Sequence, residues 1–133
     1  MRIKILHIQV LPKLSGVQKV SLEIFKKLNN EKYDKYILFS DSIGYGDRAE
    51  CIKEFEATGA KVLFSKLLKR EIGISDFPAL FELYKLCKRE KFDIVHTNST
   101  KPGIIGRIAA FVAGVPLVVH TVHGLSFHKF VKF

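Results

Sequence analysis

FDIVHTNSTKPGIIGRIAAFVAGVPLVVHTV, residues 92–122, decides the fold. FDIVHT (92–97) is an almost continuous apolar run, the pattern of a strand covered by helices on both faces. NSTKPG (98–103) reads as a loop, with Pro102 well suited to the first turn of a helix. IIGRIAAFVAG (104–114) is that helix, stopped by Gly114, and VPLVVHTV (115–122) is a second buried strand. Two buried strands joined by a helix form a parallel pair with a right-handed crossover.

The same alternation extends back to the N-terminus. Ile3, Ile5, Leu6, Ile8 and Val10 make a first strand that stops at Pro12. Ser15-Gly16 breaks the pattern, and Val17, Val20, Ile24, Phe25 and Leu28 recur at helical spacing until about residue 29. YDKYILFS (33–40) reads as a strand, DSIGYGD (41–47) as a loop, residues 48–58 as a short helix ending at Gly59, and AKVLFS (60–65) as a third strand. A basic connection, KLLKREIGIS, leads to a helix over about 76–91. The order β-α-β-α-β-α-β-α-β predicts a Rossmann-like three-layer α/β/α fold with a parallel sheet. Ligands in such folds sit at the carboxyl ends of the strands, here Leu11 to Gly16, Asp41 to Gly46, Lys66 to Ile74, Thr97 to Gly103, and His123 onward.

Composition agrees with one globular domain: 133 residues, 47% hydrophobic and 26% charged. No stretch is long and apolar enough for a membrane span, and the first ten residues lack the features of a secretory signal, so a cytoplasmic location is expected. Cys51 and Cys87 lie in helix-like segments, far apart, and read as reduced packing residues. The net charge of +9 leaves three anionic partners open, namely nucleic acid, a membrane surface or a phosphorylated ligand. Basic residues spread along the chain without any nucleic-acid-binding pattern put the first of these last.

Several residues are candidates for chemistry. The first βα turn, LPKLSGVQKV, is either a plain turn or an anion-contacting loop; it is neither a dinucleotide fingerprint nor a Walker loop. TNSTKPG offers hydroxyls, an amide and Lys101 beside a helix start, although Asn98, Ser99 or Thr100 could equally be an N-cap. Three cations between Lys66 and Arg70 form either a solvated rim or a phosphate and membrane contact. His120, His123 and His128 do not read as a zinc site, because His120 and His123 point to opposite faces of a strand and no Cys or carboxylate cluster joins them. His120 reads as a packed, hydrogen-bonded residue. His123, at a strand's carboxyl end and followed by Gly124, is placed to bond a ligand hydroxyl.

Taken in order, the SGVQ turn, the KREI segment, DIVHTNSTKPGIIGRIAA and VPLVVHTVHGLSFH resemble the N-terminal half of a GT-B glycosyltransferase of family 4, of the capsular, exopolysaccharide or lipid-linked oligosaccharide type. The resemblance covers nearly the whole chain and is most specific from Asp93 to His128. It implies one half of a two-domain fold, with an acceptor-holding N-terminal domain and a C-terminal domain that binds a nucleotide-sugar through an E-x7-E motif.

Position by position, the resemblance puts Ser15-Gly16 in the loop near the donor phosphates and His123 against the transferred sugar. Lys101, Arg70 and Glu71 fall on the acceptor side, and Gly124 accompanies His123. Asn98 stands where the family has histidine, and Ser15 where it has glycine. Such enzymes retain anomeric configuration without a metal, and the nucleotide-sugar is a substrate, so no cofactor is expected. The implied activity is transfer of a sugar to a polyprenyl-diphosphate-linked or polysaccharide acceptor, peripherally on the cytoplasmic face of the inner membrane. The resemblance ends at Phe133 without reaching the C-terminal domain, so residues 1–133 are expected to be the acceptor-side domain, inactive alone. The alternative is a non-catalytic binding or assembly subunit that joins a separate donor-domain chain.

Overall fold

The computed structural model describes residues 2–9, 16–40, 48–65, 76–98 and 100–121. Five strands and four helices alternate: β1 (Ile3–Ile8), α1 (Gly16–Lys27), β2 (Tyr33–Ser40), α2 (Arg48–Ala57), β3 (Lys61–Ser65), α3 (Asp76–Glu90), β4 (Ile94–Asn98), α4 (Thr100–Ala113) and β5 (Leu117–Thr121). All pairings are parallel, in the order β3-β2-β1-β4-β5. The chain works outward from β1 to β3, then crosses back to β4 on the other side of β1. With right-handed crossovers, that reversal puts α1 and α2 on one face and α3 and α4 on the other.

Strand alternation feeds two cores. Leu6 and Ile8 of β1 join Tyr36, Leu38, Leu83, Val95 and Ala109 under α3 and α4, whereas Ile37 and Phe39 of β2 join Leu22, Phe25, Cys51 and Phe55 under α1 and α2. Both cysteines are buried and neither is in a disulfide, as expected of packing residues, and burial pushes the Cys87 thiol up to about 11. Lys35 is an unexpected core member: its ammonium donates to the carbonyls of Phe25 (2.6 Å) and Thr58 (2.8 Å). It thus satisfies carbonyls where α1 and α2 end, the negative poles of both helices.

The expected elements stand, with three shifts. Helix α3 stops at Glu90 because Lys91 turns left-handed (φ 55°). The segment 98–103 is not a free loop: Asn98 ends β4 and α4 begins at Thr100, so Lys101 belongs to the helix's first turn. Strand β5 is not buried on both faces: among the described residues it is an edge of the sheet, and Leu117 is 50% exposed. Gly59 ends the turn after α2 with φ 91°, where a Cβ would meet the Asn30 side chain at 2.5 Å.

Candidate active site

Neighbouring strands β1 and β4 send the chain in opposite directions, β1 through α1 to β2 and β4 through α4 to β5. The helices lie on opposite faces, and in doubly wound sheets such a reversal marks the crevice at the strands' carboxyl ends where ligands bind. Helices α1 and α4 start at this end, and neither has an acidic residue in its first turn. Neither first turn therefore sets a carboxylate against the helix's positive pole.

Beneath the crevice on the α1 face lies a polar cluster. His7 and Gln9 are fully buried at the end of β1 and meet Ser21 of α1: the Gln9 amide donates to Ser21 Oγ (2.7 Å), and His7 Nδ1 is hydrogen-bonded to the same oxygen (3.0 Å). His7 sits opposite His96 in the parallel register, with ring centroids 4.4 Å apart, and His96 Nε2 is hydrogen-bonded to Thr121 Oγ1. Burial, reinforced by the charge of His96, lowers the His7 pKa to about 3, so its ring is neutral near pH 7. Among the described residues, His7 Nε2 and Gln9 Oε1 are buried without a hydrogen-bond partner. The site floor therefore holds a neutral imidazole and an amide, each with one unused polar atom.

On the opposite face, Thr97 Oγ1 is hydrogen-bonded to His120 Nδ1 at 2.7 Å, so His120 is the bonded residue its position indicated. Helix α4 approaches the sheet closely here. A Cβ on Gly106 would stand 2.8 Å from Thr97 Cγ2 and 2.9 Å from Ile8 Cδ1, so only glycine permits this distance.

Of the residues singled out from sequence, Gly16 begins α1, Asn98 closes β4 and Lys101 lies in the first turn of α4. The topology brings these three backbone positions to the same end of adjacent strands. Ser15, Arg70, Glu71, His123 and Gly124 lie outside the described residues, as does His128. Sequence reasoning missed His7, Gln9 and Ser21. Their signal was present: His7 and Gln9 continue the Ile3, Ile5 face of β1, where polar residues interrupt an apolar alternation. Among the described residues, no group of three or more His, Cys, Asp or Glu could hold a metal ion, and no helix is long and apolar enough to cross a membrane.

Residues 14–133 match the sequence profile of Glycosyltransferase Family 4. The chain belongs to that family. Among characterised family-like proteins, it is 48% identical over 129 residues to an Escherichia coli UDP-Gal:alpha-D-GlcNAc-diphosphoundecaprenol alpha-1,3-galactosyltransferase, covering 96% of this chain and 32% of that protein. It is 31% identical over 123 residues to the Staphylococcus aureus capsular polysaccharide biosynthesis glycosyltransferase CapM, covering 92% of this chain and 29% of that one. The chain thus spans under a third of either relative's length. The crystal structure of a glycosyltransferase from Rickettsia africae superposes with a TM-score of 0.70 at 19% identity, over 98% of this chain and 34% of that one. At that identity the likeness establishes the shared α/β fold and nothing about substrate.

Proposed function

We propose that this chain is the acceptor-side domain of a retaining glycosyltransferase that moves a hexosyl or acetamidohexosyl unit from a nucleotide-sugar to a polyprenyl-diphosphate-linked glycan, at a membrane face. The observation that carries this reading is the family match over residues 14–133, together with a 48% identical relative whose acceptor is a diphosphoundecaprenol-linked sugar. The crevice supports it chemically. Two helix N-termini without acidic first turns favour diphosphate groups, and Lys101 adds a cation to α4's first turn.

In this reading the donor nucleotide binds a C-terminal domain, carried by the same polypeptide or by a partner chain, and the reaction occurs between the two. His123 contacts the transferred sugar as positive charge develops at its anomeric carbon, with Gly124 allowing close backbone approach. The Ser15 and Gly16 amides face the departing phosphate. Asn98, Lys101, Arg70 and Glu71 line the acceptor side.

A chimera tests the reading: residues 1–133 replace the matching N-terminal part of the E. coli galactosyltransferase, and transfer from UDP-galactose to a water-soluble, short-chain prenyl diphosphate-GlcNAc is followed. The chimera should transfer galactose, and His123→Ala should lower turnover about tenfold or more. A folded chimera that binds UDP-galactose without transfer, or full turnover in His123→Ala, refutes the assignment.

A further inference from the structure

Ser21 of α1 is the junction of a short, buried chain of polar groups with two unused ends. The Gln9 amide nitrogen donates to Ser21 Oγ at 2.7 Å, and the same oxygen lies 3.0 Å from His7 Nδ1. A hydroxyl has one proton to give, and among the described residues no carbonyl competes for it. The Ser21 proton therefore goes to His7 Nδ1, and the neutral ring keeps its own proton on Nε2. The chain ends in one donor, His7 Nε2–H, and one acceptor, Gln9 Oε1. Rotating the Gln9 amide by half a turn reverses every bond, and the ends stay complementary, with the donor on Gln9 and the acceptor on His7.

The scaffold beneath these ends is fixed. Gln9 continues the pairing of β1, its N–H donating to the Leu38 carbonyl at 2.8 Å, and His7 is flanked in register by Ile37 of β2 and His96 of β4. As alternate residues, the two send their side chains to one face of the sheet, toward α1. The His7 ring is held between Phe25 and His96, with centroids 4.6 Å and 4.4 Å away. Both residues are fully buried, and a buried polar atom without a partner carries its whole desolvation cost.

The pairing of a donor with an acceptor selects what can satisfy it. An anion would be repelled by Gln9 Oε1, and a cation by the N–H of His7. A hydroxyl group serves both ends at once, accepting from one and donating to the other. We propose that His7 and Gln9 form a binding site for one hydroxyl group, with Ser21 setting which end donates. Two molecules carry that group here: a water molecule, which full burial admits, and a sugar whose hydroxyl reaches the floor of the crevice. Only the sugar source rests on the acceptor-domain reading.

The test is nuclear magnetic resonance of the 133-residue chain with nitrogen-15 histidine at neutral pH, alone and with excess N-acetylglucosamine, the acceptor sugar of the chimera assay. His7 signals are those that His7→Leu removes, and their contacts to the Phe25 ring assign them without that variant. The ring should show one tautomer, a slowly exchanging N–H, and a cross-peak to water of the sign that a long-lived bound molecule gives. Gln9→Met, close in shape, should abolish the cross-peak, and Ser21→Ala should release the ring into both tautomers. A cross-peak that survives the sugar identifies water as the occupant; one replaced by contacts between the sugar and the His7 ring identifies a sugar hydroxyl. Either result supports the site. The absence of both overturns it, as does a His7 ring that populates both tautomers in the parent, or a cross-peak unchanged in Gln9→Met. No transfer is measured, so a chimera that fails to transfer galactose leaves the site standing, and an empty site leaves the acceptor reading standing.

Discussion

The His7 imidazole is fully buried against Ser21, Phe25 and His96, and its pKa falls from 6.5 to about 3. A histidine held neutral in the folded state and free to protonate in the unfolded chain makes stability depend on pH with a definite sign. Above pH 6.5 both states carry a neutral ring, and the contribution is complete. As pH falls from 6.5 toward 3, the unfolded chain takes up a proton that the folded chain refuses, so stability is lost at about 1.4 kcal/mol per pH unit. Between pH 6.5 and pH 4.5 this amounts to about 2–3 kcal/mol, or roughly 1–2 M in the urea midpoint of a domain this size. The control is His7→Leu, which removes the titration while keeping an apolar side chain in the site. Its loss of ring contacts shifts stability equally at every pH, so the comparison rests on the slope. Urea unfolding at several pH values, followed by far-ultraviolet circular dichroism, should show the parent falling more steeply than His7→Leu across this window. Parallel curves would refute the argument, since they would mean that His7 binds its proton equally well in both states.

The remaining predictions concern what holds the crevice in shape. Lys35→Met keeps the aliphatic stem but strands the Phe25 and Thr58 carbonyls, and should cost about 2 kcal/mol after allowing for the desolvation of the lost charge; chemical denaturation measures it. Gly106→Ala improves helix propensity by about 1 kcal/mol, yet its methyl meets Thr97 and Ile8 below 3 Å. Thr97 cannot turn away without losing its bond to His120, so the substitution should be net destabilising by about 1 kcal/mol, and a stabilised variant would show that α4 does not sit this close.

Much of this organisation is legible in the chain. Strand β2 spans the residues that its apolar run marked, and α2 and β3 fall within a residue of their expected ends. The apolar period and the Gly59 and Gly114 stops are local properties, and local properties survive folding. The start of α4 was misjudged by four residues because Asn98, Ser99 and Thr100 read equally well as loop and as cap. The polar floor of the site was missed for another reason: His7 and Gln9 are informative only once their strand is known to be buried.

The sequence by itself determined the element order, the parallel α/β class and the ordered motifs that carry the family resemblance. Those are written along the chain, one turn or one strand at a time. Only the tertiary structure decided that β1 lies between β2 and β4, which locates the crevice. It alone brought His7 and His96 within 4.4 Å across 89 positions and made β5 an edge. It also chose which side of a largely apolar α4 the sheet covers and which it leaves to face outward. The reason is physical: periodicity tells a helix or strand that it has an apolar face, but strand pairing and layer packing, which join distant segments, choose what that face meets.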